Sequence, residues 1–116
     1  MTEPITQPMT FETQFLIDPL HPSLIGHFPG NPIVPGVVIL TEVLESIQHS
    51  LAKPWVLSQV PVVKFHAPLL PNESVQLTFE LLPHHIVTFS CQVGSRRIVS
   101  GQFIFQSNAQ ASLHHE

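Results

Sequence analysis

From Val37 to about Ala52 the chain carries one helical stripe, and nearly everything after it alternates with the period of a strand. Val37, Leu40, Val43, Leu44, Ile47 and Leu51 recur at a spacing of about 3.6 residues, which places them on one side of a helix. Glu42, Glu45, Ser46 and His49 fall opposite, while Val38 and Ile39 widen the apolar surface near the start. A helix apolar around its first turn and a half is expected to be wrapped by protein there. Lys53-Pro54 ends it, because lysine complements the negative end of the helix and the residue before proline leaves the α region.

Strand patterns surround this one helix. Phe11, Thr13, Phe15 and Ile17 share a face before it. After it come Trp55–Val60 and Val62–Phe65, two short β-prone runs separated by Pro61. Val75, Leu77, Phe79 and Leu81 alternate with polar residues, Pro83-His84 turns the chain, and Val87, Phe89, Cys91 and Val93 form the next apolar face. Gly94-Ser95 suits a two-residue hairpin turn before a last strand from Arg97 to Gln106, with Val99, Gly101, Phe103 and Phe105 on one side. The pattern predicts an α+β domain in which a curved antiparallel sheet wraps around one central helix.

A chain of 116 residues is long enough for one domain. Residues 1–9 read as a flexible N-terminus, 10–106 as a single domain and 107–116 as a flexible tail. Charged residues make up only 10 % of the chain, against a usual share of about 25 %. A homodimer or higher even oligomer is therefore expected, because a domain this small cannot hide its own apolar surface. The net charge of −4 and the absence of a basic run exclude nucleic acid as a partner. Cys91 stands alone and sits in an alternating apolar context, which reads as a buried, inert thiol. The histidine pairs His84-His85 and His114-His115 are sequence neighbours, which point to opposite faces of a strand, so no metal site is expected. With no signal peptide or long apolar run, the reading is a soluble cytoplasmic protein without a membrane span.

The chemistry concentrates in His27-Phe28-Pro29-Gly30-Asn31-Pro32-Ile33-Val34-Pro35-Gly36. Prolines and glycines restrict this loop to few conformations, and it ends where the helix begins. A helix N-terminus offers unpaired N–H groups and partial positive charge to a carbonyl oxygen that is becoming negative. A titratable imidazole close to such a site is suited to removing a proton next to a carbonyl. The loop's H-F-P-G-x-P-x-x-P-G pattern resembles the 3-hydroxyacyl-acyl-carrier-protein dehydratases of the hot-dog fold. Val63-Lys64-Phe65-His66-Ala67-Pro68-Leu69-Leu70-Pro71-Asn72-Glu73 resembles that family's second signature, and Ser100–Phe105 its last strand.

The resemblance implies a dehydration. Its substrate is a 3-hydroxyacyl thioester on phosphopantetheine, carried by acyl carrier protein or coenzyme A, with no other cofactor. Carried over, His27 is the base and the Gly36 N–H the oxyanion donor, in an active site at a dimer interface. Phe28, Pro29, Gly30, Pro35, Val37, Leu40 and Leu44 fall at substrate-binding positions, with Val43 and Ile47 also facing the acyl tunnel. The family's acid, a Glu or Asp, falls at Thr41. Threonine does not donate a proton to a leaving hydroxyl at working pH, although it can hydrogen-bond one. Glu42 points about 100° away from Thr41 on a helix, whereas Glu45 lies one turn on and about 40° around, which makes it the possible substitute. Two other readings stay open: a hot-dog acyl thioesterase, and a non-catalytic acyl-thioester-binding subunit paired with a homologue that supplies the acid. His66 is read as structural; His21 can line the entrance but is read first as a surface group, and the Arg96-Arg97 pair can dock an acidic carrier protein but is read first as a solvated turn.

Overall fold

The computed structural model describes residues 9–22 and 33–107. Strand β1 (Met9–Phe15) precedes helix α1 (Gly36–Leu51), and β2 (Trp55–Phe65), β3 (Val75–Leu82), β4 (Ile86–Val93) and β5 (Arg96–Ser107) follow. The five strands form one sheet in the order β1-β3-β4-β5-β2, with every pairing antiparallel. The chain therefore leaves one edge of the sheet after β1, passes through α1 across its face, and re-enters at the opposite edge as β2.

Alternation fixes which face is covered. Val75, Leu77, Phe79 and Leu81 are buried, while Gln76 and Thr78 are exposed. Val87, Phe89 and Cys91 on β4 and Val99, Phe103 and Phe105 on β5 continue this apolar face. Aromatic contacts tie it together: Phe11 stacks on Phe79 at 4.9 Å and Phe89 lies 4.7 Å from Phe103. From α1, Val43 and Ile47 enter fully, each worth roughly 1.5–3 kcal/mol of burial.

Four sequence expectations are corrected. The buried side of α1 is Val38, Ile39, Val43 and Ile47. Val43 and Ile47 of the expected stripe are thus in the core and Leu40, Leu44 and Leu51 pack against it half-buried, but the first member, Val37, is 70 % exposed. The first turn is covered on its Val38 and Ile39 side but left open at Val37 by the described part of its own chain. Second, β2 is one strand that runs through Pro61. As an edge strand it needs no ladder N–H there, and register shifts between Leu57 and Gln59 and between Gln59 and Val62 absorb the irregularity. Third, α1 stops at Ala52, which takes a left-handed conformation (φ 52°) and donates its N–H to Gln48, so Lys53 lies beyond the cap. Fourth, the expected turn at Pro83-His84 extends through His85 as a 3-10 turn (Pro83–His85) with positive φ at both histidines, so the strand geometry read for the His84-His85 pair does not apply.

Two glycines have identifiable work. Gly94 (φ 59°) opens the two-residue turn in which Val93 pairs with Arg96, as the hairpin reading requires. At Gly101 a Cβ would lie 2.6 Å from the Val62 carbonyl oxygen and 2.9 Å from the Phe89 ring. A side chain there would push β2 off the sheet beside its irregular stretch.

Candidate active site at the start of α1

The chain enters α1 through a pinned segment. Val34 is buried and donates its N–H to the Leu69 carbonyl at 2.9 Å, while Asn72 donates to the Ile17 carbonyl at 2.8 Å. The Pro68–Glu73 corner thereby holds both the exit from β1 and the entry to the helix. Asn72 itself sits at φ 70°, a conformation asparagine tolerates. Glu73 tightens the corner by accepting from the Leu70 N–H and from Arg96. The Arg96 hydrogen bond, followed by that from Leu70, holds the Glu73 carboxyl below its ordinary range. Arg96 is a surface group, as read, and is also half of this ion pair.

Pro35 precedes the helix in an extended conformation and offers no side-chain cap. Its carbonyl accepts from Val38 and Ile39, at 3.0 and 3.2 Å, whereas the N–H groups of Gly36 and Val37 have no backbone acceptor among the described residues. This is the donor pair an oxyanion would meet. The Phe65 ring lies directly over Gly36, where a Cβ would come within 2.8 Å of its Cζ. Nothing in the alternation of β2 singled out Phe65 for this position.

Beside this helix end lies a cleft of about 260 Å³ lined by His21, Val37, Val38, Thr41, Glu42 and Glu45. Thr41, Glu45 and Val37 were expected near one another, and they share it. Glu42 joins them, contrary to its expected divergence from Thr41: the cleft spans more of the helix surface than one row of side chains. His21, read as a surface group, also belongs here. Its placement follows from the turn at Asp18, whose Oδ1 accepts from the Leu20 N–H at 2.7 Å and whose carbonyl accepts from the His21 N–H at 2.9 Å. The Thr41 hydroxyl donates to the Val37 carbonyl at 2.8 Å, so its proton is engaged within the helix. Pro35 and Gly36 lie at the mouth of the helix, and Leu40 and Leu44 pack against the core beside the cleft.

His27, Phe28, Pro29 and Gly30 lie outside the described residues. His66 is held by Ser100, with Nε2 and Oγ 2.9 Å apart. Burial pushes the Cys91 thiol up to about 12, so it stays protonated and unreactive. Among the described residues no group of three His, Cys, Asp or Glu side chains is placed to hold a metal, and no helix is long and apolar enough to cross a membrane.

A single helix laid across a five-stranded antiparallel sheet, with both connections running between its edges, is the architecture of a hot-dog domain. The chain belongs to the ApeI-like dehydratase family, whose family model, described as ApeI dehydratase, matches residues 4–102. Among solved structures it is similar to the dehydratase heterocomplex ApeI:P from Xenorhabdus doucetiae, with a TM-score of 0.73 and 27 % identity over 90 % of this chain and 98 % of that one. The fluoroacetyl-CoA thioesterase FlK shares the fold, with a TM-score of 0.69 at 15 % identity over 98 % of both chains. Among curated proteins, the 3-hydroxyacyl-[acyl-carrier-protein] dehydratase FabZ of Myxococcus xanthus (strain DK1622) is 32 % identical over 97 residues, covering 72 % of this chain and 63 % of the relative. FabZ of Ehrlichia chaffeensis (strain ATCC CRL-10679 / Arkansas) is 30 % identical over 95 residues, covering 78 % and 65 %. The chain thus spans a little under two thirds of the length of these curated relatives.

Proposed function

We propose that this protein is a 3-hydroxyacyl-thioester dehydratase that removes water to give the trans-2-enoyl thioester, in fatty-acid or related acyl-chain synthesis. The observation that carries the reading is the start of α1, where two N–H groups without a backbone acceptor among the described residues adjoin a cleft holding Glu42 and Glu45, in a member of the ApeI-like dehydratase family. In the reaction the thioester oxygen is received by the Gly36 N–H, and His27 takes the proton from the α carbon. The electrons of that C–H bond form the new double bond as the bond to the 3-hydroxyl breaks. A carboxylic acid delivers the proton that turns the departing hydroxyl into water. Glu45 or Glu42 fills that last role, because the Thr41 proton is neither acidic enough nor free. The thioester arrives on acyl carrier protein or coenzyme A, the assembly is a homodimer or a higher even oligomer, and the compartment is the cytoplasm.

Hydration of an enoyl thioester, the reverse reaction, is the assay. His27→Ala should lower its rate by a factor of about 10²–10⁴, the scale of general-base catalysis, with the melting temperature retained. A stable His27→Ala variant with unchanged turnover would sink the assignment.

The engaged Thr41 hydroxyl also favours a second reading. The acid is then supplied by a non-identical homologous subunit, a reading supported by similarity to a dehydratase heterocomplex, ApeI:P. In that case the purified chain binds acyl thioesters but hydrates an enoyl thioester only after its partner is added.

A further inference from the structure

At the far end of α1 the molecule has a second cleft, of about 370 Å³, whose walls include Trp55, Leu81, Leu82 and Pro83. Lys53, just past the helix cap, places Nζ 5.7 Å from the centroid of the Trp55 ring. His85 packs on that ring at 4.3 Å with a tilt of 37°. Next to it, His84 completes the lining. Both histidines are in the left-handed region, at φ 68° and 62°, a conformation that costs energy for residues with a Cβ although histidine enters it more readily than most. The turn between β3 and β4 is therefore strained at two adjacent residues, and the strained form sets both imidazoles at the cleft. Backbone strain that the surrounding structure upholds points to a functional role for the segment.

The chemistry of the lining is one-sided. An indole, two leucines and a proline supply apolar surface, one ammonium and two imidazoles stand around it, and among the described residues no carboxylate lines it. A ligand matched to it has a hydrocarbon body and a single negative head. We propose that this cleft is a binding site for an aliphatic monocarboxylate of medium chain length. The chain lies against Trp55, Leu81, Leu82 and Pro83, and the carboxylate meets Lys53 with the imidazoles beside it. The site is separate from the dehydration chemistry and does not depend on that assignment.

Trp55 is the single tryptophan of the sequence, so its fluorescence reports on this cleft directly. Titration of the full chain with octanoate at neutral pH should give a saturable change in emission. Octan-1-ol should bind at least tenfold more weakly, and acetate should give no saturable change. Lys53→Met keeps the apolar stem at an exposed position and should weaken octanoate binding at least tenfold while the circular dichroism stays that of the wild type. No saturable response to octanoate overturns the proposal, as does equal binding of octanoate and octan-1-ol or equal binding by wild type and Lys53→Met. The chain's own end is the competing occupant, since Ser107 pairs with Trp55 at the close of β5. If a chain ending at Ser107 binds octanoate and the full chain does not, the cleft belongs to residues 108–116 and the proposal fails.

Discussion

Thr41, which the proposed function sets at the place of the family's acid, spends its hydroxyl on the carbonyl one turn back. A threonine bonded in this way serves its own helix and has nothing to give a leaving group. Thr41→Glu should therefore raise enoyl-thioester hydration over a weak wild-type rate by placing a proton donor in the cleft beside Glu42 and Glu45. If Glu45 already supplies the proton, Thr41→Glu gives no gain and Glu45→Gln abolishes turnover instead. Initial rates of the two variants, measured side by side, identify the donor. Glu42→Gln serves as the third comparison, because the structure places Glu42 in the same cleft.

At the scale of the element, two features ask for stability measurements. Helix α1 ends on Ala52 with φ 52°, a geometry glycine adopts without penalty. Ala52→Gly should stabilise the fold by roughly 1 kcal/mol, from the cost of a left-handed alanine, and denaturant melts would show it. The Pro68–Glu73 corner gives a pH signature. Arg96 and Leu70 lower the folded-state pKa of Glu73 below its ordinary 4.5, so the unfolded chain takes up the proton first. The stability from this contact is present above pH 4.5 and is lost as the pH falls through the lowered value. The difference in melting temperature between wild type and Glu73→Gln should accordingly shrink below pH 4.5. Its size is modest, because the two side chains are 23 % and 44 % exposed.

For the whole molecule the exposed apolar surface has a direction. Val60 and Val62 lie open on edge strand β2, Phe65 covers Gly36 while half exposed, and Val37 projects from the first turn of α1. An edge strand with these side chains, in a chain this poor in charge, suits the association surface that the proposed dimer requires. Light scattering should give at least a dimer at micromolar concentration. Val62→Lys should shift the protein toward monomer and reduce turnover with it, since the proposed site is completed across that interface. A folded, fully active monomer would refute both statements.

The alternation in Val75–Leu81 and Val87–Val93, the turn at Gly94-Ser95 and the lone helical stripe made the architecture legible, because periods of two and of about 3.6 residues are local properties of the backbone. The loop motif likewise put the start of α1 at Val37, one residue from the observed Gly36, through proline and glycine geometry that each residue carries by itself. Only the packed structure settled which side of α1 is buried: Val38 and Ile39 enter the core and Val37 does not, since the position of the sheet chooses among several apolar faces. It alone also brought His21 and Glu42 to Thr41, laid Phe65 over Gly36 and ran β2 through Pro61. Those outcomes rest on contacts between residues distant in the chain, and on which edge of the sheet a strand takes, neither of which a local pattern encodes.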